Sequence, residues 1–170
     1  MALKMGKRGH IWLVTGASTS GKTTFCQNYL LQKRLAGWQV AGILTPAVFE
    51  NGEKSAFQAV NLSTGESRLL AVKAPGRQQD ILVGEWALRP ETLHWGNQIL
   101  DQITACDLLV IDELGPLEFL QGGGWQSAFP LLERGAFRLA LVVVRPQLVK
   151  MACSRFRIAH QINVQTSPSN

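Results

Sequence analysis

The stretch Gly16-Ala-Ser-Thr-Ser-Gly21-Lys22-Thr23 constrains this chain more than any other. It matches G-x-x-x-x-G-K-[ST] without error, and chance would place that pattern in roughly one chain in two hundred of this length at average glycine usage of about 7%. Its glycines reach backbone angles closed to other residues, so successive N–H groups can turn inward on an anion. The loop then feeds a helix start, whose free N–H groups and dipole favour phosphate oxygens. Gly16, Ala17, Ser18, Thr19, Ser20, Gly21, Lys22, Thr23 and Thr24 are therefore the candidate phosphate-binding residues. Lys22 is assigned to the β- and γ-phosphates and Thr23 to Mg²⁺.

The flanks supply the context this loop needs. His10–Thr15 reads as a strand, and Gly21–Ala36 as a helix ended by Gly37, with Phe25, Tyr29 and Leu30 at helical spacing. Trp38–Thr45 is a second strand stopped by Pro46. Ala56–Leu62 and Ser67–Val72 flank Ser-Thr-Gly-Glu and read as a hairpin. Lys73–Asp80 is a loop, and Ile81–Trp86 a short strand. Pro90 opens a helix running to about Thr104. After the apolar run Leu108–Asp112 comes a glycine-rich loop, Gly115–Gly124, then a helix interrupted or begun near Pro130. Phe137–Val144 is the strongest strand, Pro146 opens a short helix, and Ile158–Val164 is the last strand before a frayed tail, Ser167–Asn170. Strands alternating with helices predict an α/β fold, a mainly parallel sheet covered by helices on both faces. The reading is one nucleotide-binding domain over residues 1–170, with a β-hairpin inserted at about 46–89.

A phosphate loop needs an acid on a neighbouring strand to hold Mg²⁺. Leu108-Leu-Val-Ile-Asp112-Glu113 has that form, with Asp112 on the metal side and Glu113 placed to orient or deprotonate a water. Several residues carry two readings. Arg145, after the strong strand, is either an internal arginine finger or a surface ion pair. Arg134 is read as structural. Thr45 either lines the cleft or makes a turn. Trp125, beside Gly122-Gly-Gly124, is either a lid over the ligand or a core tryptophan. His94 and Trp95 are read as packing residues on a helix.

Composition excludes other classes. Apolar residues make up 46% and charged residues 17%, which is globular and not disordered. The longest apolar stretch, Ala136–Val144, is far short of the roughly 20 residues of a membrane helix. The basic start, Met1–Arg8, runs on into the glycine loop with no small-residue cleavage site, so it does not read as a leader. Cys26, Cys106 and Cys153 are odd in number and widely spaced, which predicts free thiols in a reducing cytoplasm. With three scattered histidines the chain offers no zinc pattern. The net charge of +5 is dispersed; Lys150, Arg155 and Arg157 form the nearest cluster, which argues against nucleic acid. Asn-Lys-x-Asp, the guanine pattern of regulatory GTPases, does not occur.

The loop Gly16–Thr24 followed by Asp112-Glu113-Leu-Gly115-Pro-Leu-Glu118 resembles the THEP-type nucleoside-triphosphatases, which carry a close variant of Asp-Glu-Ile-Gly-x-Met-Glu there. The likeness extends to Gly42, Thr45, Leu62, Thr64, Gly65 and Glu66 and covers about residues 10–165. It implies a compact α/β phosphate-loop domain that slowly hydrolyses several nucleoside triphosphates with Mg²⁺, and it draws Glu118 toward the site. The chain departs from the family after the second strand. Ala47 and Phe49 stand where many members have Glu and Arg, and Lys54 and Ala56 where they have Arg and Gly. Those changes leave two further readings open. One is a nucleotide-gated module serving a protein or cofactor-assembly partner. The other is a small-molecule or nucleotide kinase with its acceptor held by Pro46–Arg89.

Overall fold

Along β1 (His10–Thr15), Ile11 and Leu13 point to one hydrophobic cluster and Val14 to another, so the strand buries both faces. That is the behaviour of a parallel strand between two helical layers, and it is why the run is apolar throughout. The computed structural model describes residues 8–166. The Met1–Lys7 part of the basic start and the Ser167–Asn170 tail lie outside the described residues.

Helix α1 (Lys22–Leu35) follows the glycine loop and ends with Lys33 and Arg34 in its last turn, where cations suit the dipole. Strand β2 (Val40–Leu44) is buried from end to end. Further along are α2 (Pro90–Gln102), β8 (Cys106–Leu114), α3 (Pro116–Gln121), α4 (Ala128–Arg134) and β9 (Phe137–Val144). A 3₁₀ turn (Pro146–Leu148), α5 (Val149–Arg155) and β10 (Ile158–Asn163) complete the order. Strands β10, β1, β9, β8 and β2 lie side by side and parallel. Helix α1 covers one face through Cys26 and Leu30. Helices α2, α4 and α5 cover the other through Leu93, Leu100, Phe129, Leu131 and Ala152. The mainly parallel, doubly covered α/β sheet is the fold the sequence predicts.

The segment between β2 and α2 is larger than the predicted hairpin. It forms β3 (Ala47–Glu50), β4 (Glu53–Asn61), β5 (Ser67–Lys73), β6 (Ile81–Val83) and β7 (Trp86–Leu88), all antiparallel. Strand β4 pairs with β2, so the extension continues one 10-stranded sheet. Two turns account for the difference. Asn51 and Gly52 both take positive φ, 51° and 80°, the Asn-Gly hairpin turn. Gly84, at φ 58°, folds the predicted strand Ile81–Trp86 back on itself. Asp80 then pins the extension, accepting from Arg77 and Arg89 at 2.9 Å each, while Arg77 also reaches Glu91 at the start of α2 at 2.7 Å.

The predicted loop Gly115–Gly124 also contains a helix, α3. Pro116 occupies its first turn, where no N–H is needed, and the Glu118 carboxylate accepts from the Gly115 N–H at 2.8 Å. Pro130 falls within the first turn of α4 and does not interrupt it.

Candidate functional site

Every strand of the parallel half ends its carboxyl end on one rim, and the glycine loop sits there between β1 and α1. Gly16 has φ 155°, and a Cβ on it would fall 2.3 Å from the Val164 carbonyl oxygen and 2.6 Å from Ser20 Oγ. Thr19 and Gly21 also take positive φ, 64° and 92°. Such angles wrap the loop inward, and the Ser20 N–H closes it on the Ala17 carbonyl at 3.1 Å. Helix α1 begins without a side-chain cap, which leaves its first N–H groups facing the concavity. The Ser20 hydroxyl is buried with no protein partner, as is that of Thr15. Lys22 Nζ folds back over the loop and donates to the carbonyls of Gly16 at 2.9 Å and Ala17 at 2.8 Å.

Asp112 is 2% exposed and lies against this loop. Its Oδ2 accepts from the Thr23 hydroxyl at 2.9 Å and from the Thr45 N–H at 3.1 Å. The Thr45 hydroxyl donates to the Asp112 carbonyl at 3.0 Å, so Thr45, the residue after β2, lines the site. Burial pushes the Asp112 carboxyl up to about 6 against the hydrogen bonds from Thr45 and Thr23, and the Glu113 charge adds to the rise.

Glu113 follows, partly exposed, at an irregularity in the β8–β9 register between Ile111 and Leu114. Its Oε1 receives the Arg145 Nε–H at 2.6 Å. Of the two readings of Arg145, the structure has the ion pair, and it joins the candidate water-side carboxylate. Arg134 donates to the Ile103 carbonyl at 2.7 Å, away from the cleft. Arg155 pairs with Glu133 at 3.1 Å and stacks on Phe129 at 4.1 Å, which disperses the C-terminal basic cluster further.

Glu118 faces inward, and its own loop occupies both oxygens: Oε2 takes the Gly115 N–H at 2.8 Å and Oε1 the Trp125 N–H at 3.1 Å. Burial raises its carboxyl, opposed by those two bonds. Trp125 is a core tryptophan and not a lid: it is 3% exposed, and a Cβ on Gly96 would come within 2.2 Å of its ring. Trp95 is buried as predicted, whereas His94 is exposed on the outer face of α2. Cys26 is buried, Cys106 partly so and Cys153 exposed, and all are free.

The cleft does not stop at Asp112. It runs on beneath the antiparallel extension as a single cavity of about 1370 Å³, bounded there by Phe49, Phe57, Trp86, Lys54 and Lys73. Sequence reasoning placed an acceptor in this half, within Pro46–Arg89, only under its kinase reading, and it missed strand β3 at the edge. Asn51-Gly52, a hairpin signal between two short apolar runs, is what would have found it.

A glycine loop between a central strand and an uncapped helix, with an aspartate from another parallel strand bonded to its threonine, defines a P-loop nucleotide-binding domain. Within that class, the sequence profile described as NTPase matches residues 11–155, and this chain belongs to that family. Nucleoside-triphosphatase THEP1 of Caldivirga maquilingensis is 35% identical over 105 residues, which is 62% of this chain and 58% of that protein. The match spans about three fifths of the length of the curated relatives. Two solved structures share the fold. The solution structure of a human cancer-related nucleoside triphosphatase has a TM-score of 0.68 at 21% identity, covering 94% of this chain and 90% of that one. The crystal structure of THEP1 from Aquifex aeolicus has a TM-score of 0.63 at 16% identity, covering 93% and 90%. Among the described residues, no helix is long and apolar enough to cross a membrane.

Proposed function

We propose that the chain is a Mg²⁺-dependent nucleoside-triphosphatase, releasing nucleoside diphosphate and phosphate. The observation that carries this is the 2.9 Å contact of Thr23 with Asp112, made directly beneath the glycine loop. A hydroxyl and a carboxylate are hard oxygen donors, the set that suits Mg²⁺. The unpartnered Ser20 hydroxyl and the open start of α1 suit phosphate oxygens. When bound, Mg²⁺ would supply positive charge shared between the β- and γ-phosphates.

The chain's own residues do the rest. Loop amides of Gly16–Thr24 hold the phosphates, and Lys22 leaves the carbonyls of Gly16 and Ala17 for phosphate oxygens. Glu113 orients the attacking water and accepts its proton, provided Arg145 releases it. Arg145 is within reach of the same charge and moves from Glu113 to the γ-phosphate as the ligand enters. Turnover is slow where no partner supplies a further cation. Base tolerance is broad, since no guanine-reading motif occurs. The three free cysteines fit a cytoplasmic setting.

Steady-state phosphate release with each common triphosphate, in Mg²⁺ and in EDTA, tests the reading. Glu113→Gln should stop release and spare binding. Unchanged turnover in that variant would remove Glu113 from the mechanism, and no Mg²⁺-dependent release from any triphosphate would overturn the activity.

A further inference from the structure

The cleft of about 1370 Å³ is half open to solvent and runs from the glycine loop to the antiparallel extension. Its second half has a composition of its own. Leu70, Leu88 and Leu93 give an apolar floor, and Phe57 and Trp86 form an edge-to-face pair with centroids 4.8 Å apart. Lys54 and Lys73 stand on the rim. Among the described residues neither lysine has a carboxylate partner within ion-pair distance, although Glu53 and Glu85 share that rim. Lys54 instead lies 5.1 Å over the Phe57 ring.

Topology sets which side of the phosphate site this is. Sheet order runs from β1 through β9 and β8 to β2 and then into the extension. The compartment therefore lies beyond Asp112 and Glu113, on the side where a terminal phosphate would point. Val60 of β4 is opposite Leu44, the last residue of β2, so β4 from Glu53 to Ala59 rises past the parallel rim, on the order of 20 Å at about 3.3 Å per residue. Lys73 pairs with Trp86 at the same raised level. An aromatic wall, an apolar floor and two cations without carboxylate partners match a planar heterocycle that carries a single anionic group.

The geometry points to a second ligand subsite, in which a nucleoside monophosphate stacks on Trp86, beside Phe57, and pairs its phosphate with Lys54 and Lys73 while a triphosphate occupies the glycine loop. This rests on the proposed function only for the occupant of the loop.

Calorimetric titration of the five common nucleoside monophosphates into protein saturated with Mg²⁺ and a non-hydrolysable ATP analogue tests it. At least one should bind saturably with one site per chain. Lys54→Glu/Lys73→Glu and Trp86→Leu should each weaken it by about ten-fold or more, the loss expected of one base–aromatic stack or charge contact. Lys150→Glu, a charge change outside the cleft, should not. No saturable binding, or binding that the rim variants leave unchanged, overturns the subsite. The charge-reversal pair guards against misfolding of the Trp86 variant, since both lysines stand on the rim. Analogue affinity and phosphate release without monophosphate, on the same preparations, report separately on the phosphate site.

Discussion

The two halves of the sheet are built on opposite plans. Strands β1, β8 and β9 are buried on both faces, and their carboxyl ends share one rim; β3 to β7 are antiparallel and partly exposed, and they form a wall. In the first half, packing brings side chains from separate elements into hydrogen-bond contact, as in Thr23 to Asp112 at 2.9 Å and Asp112 to Thr45 at 3.1 Å. In the second, Phe49 is 63% exposed and Leu82 62%, so packing constrains those positions weakly. A chemical core held rigid, beside a flank free to vary, lets the ligand set change without disturbing phosphate binding.

The sharpest break of that contrast would come from Lys22→Ala. It should reduce triphosphate turnover by roughly 10²–10³-fold, as for other charge-stabilising donors. If turnover survived, the parallel half would not be the chemical core.

Asp112→Asn should come next, with opposite effects on activity and stability. The folded pKa of Asp112, about 6, lies above its unfolded value of 3.8, so the folded state binds the extra proton between them. Stability of the Mg²⁺-free protein therefore falls as pH rises through roughly 4 to 6, by on the order of 3 kcal/mol. The asparagine variant should lose that slope and melt higher than wild type at pH 7 while turnover collapses. Thermal melts across pH 4–7.5 check this, and equal slopes in the two proteins would refute it.

Glu118→Ala removes an acceptor for two backbone N–H groups and should cost about 1–3 kcal/mol in denaturant unfolding. Glu118→Gln should recover part of that loss, because one oxygen remains. On the flank, Leu82→Ser at the outer strand should shift stability by less than about 0.5 kcal/mol and leave turnover unchanged. A larger loss there would mean the wall is not peripheral.

The parallel half was legible because its signals are local. An apolar run, a glycine pattern and an acid at a strand end each sit within a few residues. The extension was legible only in part: the hairpin of Ala56–Leu62 and Ser67–Val72 is present as β4 and β5, but β3, β6 and β7 have only three or four residues each, and two turns, Asn51-Gly52 and Gly84, decide their pairing. The glycines around residue 122 suggested a loop, yet Pro116 and Glu118 carried the start of α3 in their spacing. Trp125 was undecidable locally, since its socket is Gly96 on another helix. The site residues were nominated from their motifs, but the Glu113–Arg145 contact depends on the register of β8 against β9, which no local pattern encodes.

Lys22 resting on its own loop carbonyls, with Arg145 resting on Glu113, has a consequence for selectivity. Both cations nearest the phosphate loop have protein partners. A stray monoanion such as inorganic phosphate can replace only one of those arrangements, and it gains little over what it displaces. A polyphosphate chain long enough to lie from Lys22 to Arg145 replaces both at once. A triphosphate that meets both side chains is therefore expected to compete for the cleft better than inorganic phosphate, which displacement of a bound triphosphate analogue would measure.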